Sequence, residues 1–449
     1  MTLTYRQAVA ALTERGRFGV SLGLRRVSRL MDEVGHPEAG LRGALVGGTN
    51  GKGSVVAMTR SILGAAGLRV GTMPKPHLVS YRERIAIGGE PLPPGDFAAA
   101  VERILPAIDR VTAEVGPPTE FEALTAAAIV ELSRQRVDLA IVEVGMGGRL
   151  DATNVLDLGV ATITNVQRDH ERFLGSTLTA IGGEKAPIIK AGDLAVTGAS
   201  GRGLRPILDR CAGLDVPLRR AGARQPYRTT LRSTGWEGIV VDAVLPGRRM
   251  PDLQVGLLGR HQAQNAAVAL ATLDALAERW GIGVDEATIR RGLAAARWPG
   301  RLELLDGTKA GLARVLLDGA HNPAGAEALA TALADLGLRR PTIVFGAMRG
   351  KRVSAILRAL APLEPRFVFT RVDDPGALTP QSLARTWRRV SGRRAMTAAT
   401  PAEALEAADA DPLVVAGSLY LVGAVRGMIT GTTEDGGWQR RSSGAPART

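Results

Sequence analysis

Short apolar runs rich in β-branched residues punctuate the N-terminal half of the chain: Ala44–Val46, Leu139–Val144 and Val160–Val166. They lack the polar alternation of a half-exposed strand, so they predict strands buried on both faces of a parallel sheet. Between them, Gly95–Glu114 and Glu120–Arg134 are rich in Ala, Leu and Glu and predict helices. This alternation gives a doubly wound α/β sheet, whose ligands sit at the C-terminal ends of the strands. Residues 216–256 change character, and their Thr, Gly and Val-Val pairs predict an antiparallel hairpin segment before a helix from His261 to Trp280. At Arg297-Trp298-Pro299-Gly300-Arg301 the Pro and Gly stop a helix. A second βα series follows, with strands expected at Val315–Leu317, Thr342–Phe345, Phe367–Thr370 and Leu413–Val415. The expected organisation is therefore an N-terminal α/β domain over 1–296, a smaller C-terminal α/β domain over 297–430, and a disordered Gly/Ser/Thr/Arg-rich tail over 431–449. The longest apolar stretch, Leu413 to Val425, is too short to span a bilayer and reads as a buried strand running into a helix.

The candidate chemistry falls where such strands end. Ala44-Leu45-Val46-Gly47-Gly48-Thr49-Asn50-Gly51-Lys52-Gly53-Ser54 is a strand end, a glycine-rich turn and a helix start. Glycines let successive backbone N–H groups point at phosphate oxygens, the helix adds its positive end, and Lys52 adds a mobile ammonium. Gly53 departs from the common phosphate loop by separating Lys52 from the hydroxyl of Ser54. The strand Leu139–Val142 runs into Glu143, a hard oxygen ligand placed for a nucleotide-bound Mg2+. Asp169-His170 follows the next strand at the same edge, and His170 could complete a metal site. Gly182-Gly183-Glu184-Lys185 forms a third glycine-flanked site. On the C-terminal side, Asp318-Gly319-Ala320-His321-Asn322-Pro323 closes a strand with a polar turn and could present Asp318 and His321 across a cleft.

Composition adds two scarcities. Only six of the 57 basic residues are lysines, so lysine has been kept mainly where a compact ammonium or a reactive amine matters, and Lys52 and Lys185 are two of the six. Four of the five histidines, His77, His170, His261 and His321, lie in Gly/Pro/Asn-punctuated stretches. The formal charge of +13 invites a nucleic-acid partner, but aromatics are only 4%, leaving few platforms on which bases could stack. A substrate with several negative charges explains the sign equally well, and no nucleic-acid or membrane partner is expected. A single Cys211 excludes a disulfide framework and fits a reducing cytoplasm, and residues 1–18 carry no signal-peptide apolar block.

The chain resembles the folylpolyglutamate synthase/dihydrofolate synthase branch of the Mur ligase superfamily. The resemblance rests on Gly48–Ser54, Phe121-Glu122, Glu143–Asn154, Asp169-His170, Gly183-Glu184-Lys185, His261–Asn265, Pro299-Gly300-Arg301 and Asp318–Pro323, which run in the family's order. It implies a Mur ligase-like, P-loop doubly wound N-terminal domain and a Rossmann-like C-terminal one. The implied activity is addition of L-glutamate to a dihydropteroate or reduced-folate carboxylate, with ATP and Mg2+, by a monomer. Residue by residue, it implies that Thr49, Asn50, Gly51, Lys52, Gly53 and Ser54 hold the phosphates, and that Asn265, Arg301 and Asp318 contact ATP. It implies that Glu143 and His170 ligate Mg2+, that Lys185 is carbamylated to serve a second metal, and that His321 lies near the transferred phosphate. Leu24, Arg25, Phe121, Glu122, Leu150, Asp151 and Ala152 would line a pterin pocket. One departure is plain: the family's Ser-Pro-His reads Lys75-Pro76-His77 here, and a protonated Lys cannot take the metal-ligand role of that Ser. Alternative readings are another Mur-type amino-acid ligase and a basic nucleic-acid-binding ATPase.

Overall fold

The computed structural model describes residues 3–18, 22–308 and 311–432. Most of the tail predicted over 431–449 therefore lies outside the described residues.

The N-terminal domain is built on an eight-stranded sheet. Its order is Glu90–Pro91, Ala86–Ile87, Val70–Met73, Leu139–Glu143, Gly43–Gly47, Val160–Ile163, Leu194–Thr197 and Leu218–Arg220. The six strands from Val70–Met73 onward are mutually parallel, and the two short edge strands run antiparallel. Alternate residues of the central strands supply two separate cores. Leu45, Ala140, Val142 and Ile163 face a layer containing the helices Pro94–Val115 and Glu120–Arg134. Ala44, Val46, Ile141 and Val160 face the helices Lys52–Ala65, Gln262–Trp280 and Glu286–Ala295. A strand that is apolar on both sides has no solvent face to mark with polar residues, which is why these runs read as continuous in sequence.

Residues 216–256 prove more divided than the single hairpin segment expected. Leu218–Arg220 joins the main sheet in parallel, and only Arg228–Gly235, Gly238–Leu245 and Arg248–Val255 form the antiparallel sheet. The run Val160–Val166 also stops early as a strand, at Ile163: the Thr164 N–H still bonds the Gly47 carbonyl, and the Thr164 and Asn165 side chains turn to Asn50.

The C-terminal sheet has the order Glu303–Asp306, Arg314–Leu317, Leu413–Ala416, Thr342–Phe345, Arg366–Phe369, Met396–Thr397. All but the first strand run parallel. The apolar stretch at Leu413 is a buried strand followed by the helix Leu419–Thr430, as its pattern predicts. The domains are tied together by a segment of the first. Leu78 and Val79 are buried in one cluster with Val315, Leu317, Val415 and Val422 of the second. The backbone of Leu78 lies so close to Gly423 that a Cβ there would fall 1.9 Å from the Leu78 carbonyl oxygen. Among the described residues no helix is long and apolar enough to cross a membrane.

Candidate active site

The strand Gly43–Gly47 ends in a turn and the helix Lys52–Ala65 begins at once after it. Gly51 caps that helix at φ +80°, a left-handed conformation that side chains disfavour, and Asn265 Oδ1 stands where a Cβ would go. The loop is braced from the neighbouring strand end. Asn165 Oδ1 accepts from the Asn50 N–H at 3.0 Å, Thr164 Oγ1 donates to the Asn50 carbonyl at 2.6 Å, and the Gln167 N–H donates to Thr49 Oγ1 at 3.0 Å. These residues were not singled out in the sequence. Polar Thr-Asn after an apolar strand, beside a glycine loop, is the signal that could have found them. Gly53 also has a reason: a Cβ there would lie 2.6 Å from the Trp298 ring, which packs on the helix start from the interdomain break.

Two ammonium groups converge on this loop. Lys52 Nζ donates to the carbonyls of Gly48 at 3.2 Å and Thr49 at 3.1 Å, and the buried Lys185 Nζ donates to the same Gly48 carbonyl at 3.0 Å. Burial, and secondly the charge of Lys52, lower the Lys185 amine to about 7. Gly182 packs against the backbone of Gly203, and Glu184 pairs with Arg149, so the helix Leu178–Lys185 is fixed with its last residue pointing at the loop.

Beside the loop, Glu143 is buried, with Oε2 lacking any hydrogen-bond partner and its carboxyl held above the usual range by burial. Lys52, Lys75 and Arg301 are the cations facing it. His170 lies at the exposed edge in a left-handed turn, 3.7 Å from Asp169. Among the described residues no three His, Cys, Asp or Glu side chains converge as a metal-binding group. Asp318 accepts from the Leu302 and Ala320 N–H groups, both at 2.9 Å, and so ties the interdomain segment to the turn after its own strand. Burial pushes its carboxyl up. His321 bonds the Gly319 carbonyl through Nδ1 at 2.7 Å, and burial lowers its pKa. The charges that act on it include Arg301 of the C-terminal side and Asp169 of the N-terminal domain.

A second group of residues clusters around Phe121. Phe121 starts the helix Glu120–Arg134, and Lys75 Nζ lies 3.9 Å above its ring centroid. Asp151 is buried and bonded to Met146 N at 2.9 Å and to Thr153, fixing the turn that carries Leu150 and Ala152. Glu122 is fully engaged inside the protein. It caps its helix through Thr119 and accepts twice from Arg26 at 2.9 Å, joining the helix Arg25–Glu33 to Phe121. Leu24 stands at the start of that helix, half-buried, and Arg25 is exposed.

The Mur ligase middle domain family matches residues 97–273, and the Mur ligase glutamate ligase domain matches 300–421. A dihydrofolate synthase/folylpolyglutamate synthase of Bacillus subtilis is 33% identical over 85% of this chain and 89% of its own length. The chain belongs to the folylpolyglutamate synthase/dihydrofolate synthase family. Among solved members, the Thermotoga maritima folylpolyglutamate synthase has a TM-score of 0.87 at 32% identity, covering 97% of this chain and 100% of that one. The Escherichia coli family member solved in complex with DHPP and ADP has a TM-score of 0.83 at 29% identity, over 96% and 98% of the two chains.

Proposed function

We propose that this protein is an ATP-dependent ligase that adds L-glutamate to the carboxylate of a dihydropteroate or a reduced folate. The observation that carries the reading is the pair of ammonium groups, Lys52 and Lys185, sharing the Gly48 carbonyl at a helix N-terminus. Two like charges on one acceptor repel, which favours a neutral Lys185 amine and leaves Lys52 as the ammonium that meets a polyphosphate. The family supplies the reaction. A carboxylate oxygen of the acid attacks the γ-phosphorus, ADP leaves, and an acyl phosphate forms. The neutral amine of glutamate then attacks the acyl carbon, inorganic phosphate departs and a proton is lost to solvent.

In this reading the loop Thr49–Ser54 cradles the phosphates, Lys52 neutralises charge developing on the transferred group, and Asn265 holds the loop's shape. Arg301 and His321 bring cationic and hydrogen-bonding groups from the C-terminal side, with Asp318 fixing Arg301's segment. Phe121 and the Leu150–Ala152 turn carry the flat body of the acid, while Glu122 braces Phe121. The unpartnered oxygen of buried Glu143 fits a hard cation, and His170 is the second residue that would hold it. Mg2+ held there would supply positive charge against the phosphates. Lys185, with its amine near neutrality, is suited to take up CO2 as a carbamate. The buried lone Cys211 accords with a reducing cytoplasm, and we take the working unit to be a monomer.

The test is a panel of dihydropteroate, reduced folates and unrelated carboxylic acids with ATP, Mg2+ and labelled glutamate. Pterin-bearing acids should release one phosphate per amide formed. Equal activity on acids without a pterin would overturn the substrate assignment.

A further inference from the structure

We propose that Lys75 is a substrate-positioning cation, its ammonium holding the carboxylate of the acid that is to be activated. This rests on the ligase reading above. Lys75 follows the strand Val70–Met73, and Asp151 and Glu143 are the carboxylates whose charge acts on its ammonium, which places it beside the nucleotide site. The side chain packs against the ring of Phe121. Its Nζ is buried and makes no hydrogen bond, and its nearest surface is the face of Phe121. A buried donor without an acceptor costs stability, and an aromatic face compensates only in part.

The ammonium is closely packed on the side of Gly145. A Cβ on that residue would lie 2.7 Å from Asp151 Oδ2, 3.3 Å from Phe121 Cζ and 3.5 Å from Lys75 Nζ. An acidic group, an aromatic face and an ammonium thus crowd around the α-carbon of Gly145, where no side chain would fit. Asp151 Oδ2 already accepts from Met146 N, and Lys75 stands too far from both Asp151 and Glu143 for a salt bridge. The remaining acceptor must come from a ligand. It must be anionic, lie between the Phe121 face and the phosphate loop, and end a flat body that stacks on an aromatic ring. The carboxylate of an aryl acid meets all three requirements. Held through one oxygen by Lys75, it presents the other toward the phosphates on Lys52.

The experiment compares the full-length protein with Lys75→Met and Lys75→Arg, using dihydropteroate and its carboxamide analogue. Calorimetry without ATP or Mg2+ reads acid binding, and steady-state turnover reads the Michaelis constants for acid and ATP. Lys75→Met should weaken binding of the acid roughly 10- to 100-fold, the worth of one hydrogen bond to a charged group. It should leave the KM for ATP within about twofold and abolish the wild-type preference for carboxylate over carboxamide. Lys75→Arg should recover part of that preference. Melting of Lys75→Met should occur at or above the wild-type temperature, since a partnerless buried charge is gone; a merely structural lysine would give the reverse. An equal loss for acid and carboxamide overturns the proposal. So does a shift confined to ATP or Mg2+ dependence, which would make Lys75 a stand-in for metal charge. If the wild type binds the acid but turns over nothing, the ligase reading fails while the binding comparison still decides the role of Lys75.

Discussion

Gly53→Ala probes the contact between the phosphate-loop helix and the interdomain break. The new methyl would lie 2.6 Å from Trp298 Cε2 and Cζ2 and 2.8 Å from Nε1. Carbon atoms rest ~3.5–4.0 Å apart, so the ring must retreat by about 1 Å. Such overpacking costs about 1–3 kcal/mol, against a gain of up to about 1 kcal/mol from replacing helical Gly by Ala. The net expectation is a loss of about 0–3 kcal/mol, its size decided by how freely Trp298 moves. A double-mutant cycle removes that ambiguity. In a Trp298→Ala background the clash is absent, so Gly53→Ala should be neutral or stabilising, and the coupling energy should reach about 1–2 kcal/mol. Urea unfolding of the four proteins gives the stabilities, and phosphate release per amide gives function. Because Trp298 adjoins Pro299-Gly300, its displacement should also raise futile phosphate release. Zero coupling, with Gly53→Ala contributing the same increment in both backgrounds, would refute the packing argument.

Lys52→Ala should lower amide formation by at least about 100-fold, the scale of one lost charge-stabilising donor, with melting little changed because the side chain packs no core. Glu143→Ala should abolish the response of activity to added Mg2+, measured by titrating Mg2+ at fixed ATP; an unaltered response would remove Glu143 from the metal site. The lowered Lys185 amine is mostly protonated below about 7 and neutral above it, and only the neutral form combines with CO2. Activity should therefore fall as pH drops through 7 and recover more fully when bicarbonate is supplied, whereas Lys185→Ala should show neither response. Glu122→Gln should destabilise by about 1–3 kcal/mol in thermal melts through its weakened bonds to Arg26 and Thr119, and change acid binding less than Phe121→Ala does.

The doubly wound framework was legible because each central strand is buried on both faces and needs an uninterrupted apolar run, as Leu139–Glu143 shows. The turn after Ile163 was not, since it is shaped by a Thr164 side-chain bond to Asn50, 114 positions away in sequence. The positions of Lys52, Glu143 and Lys185 could be anticipated from glycines and strand ends. Their meeting on one carbonyl or beside one orphaned oxygen could not, because a Lys reads alike whether its ammonium is in water or against Gly48. Glu122 shows the opposite failure. A carboxylate beside Phe121 reads as a ligand-binding group, and only the geometry of Arg26 and Thr119 reveals it spent on a helix cap. Lys75 stood out as a departure from the family pattern, but the packing against Phe121 and Gly145 that leaves its ammonium without a hydrogen-bond partner exists only in three dimensions.

The close approach of Leu78 to Gly423 bears on how such proteins can be recombined. The linker near Pro299 looks like the natural seam for grafting one member's C-terminal half onto another's N-terminal half. The packing puts the seam elsewhere, because Leu78 and Val79 complete an apolar cluster whose other members follow the linker. A graft cut at 297 would set a foreign helix surface against this chain's Leu78, and any residue larger than glycine at 423 would collide with its carbonyl. The exchangeable cassette is therefore discontinuous: the C-terminal domain together with the segment around Lys75–Val79, which carries the proposed carboxylate-binding lysine along with it.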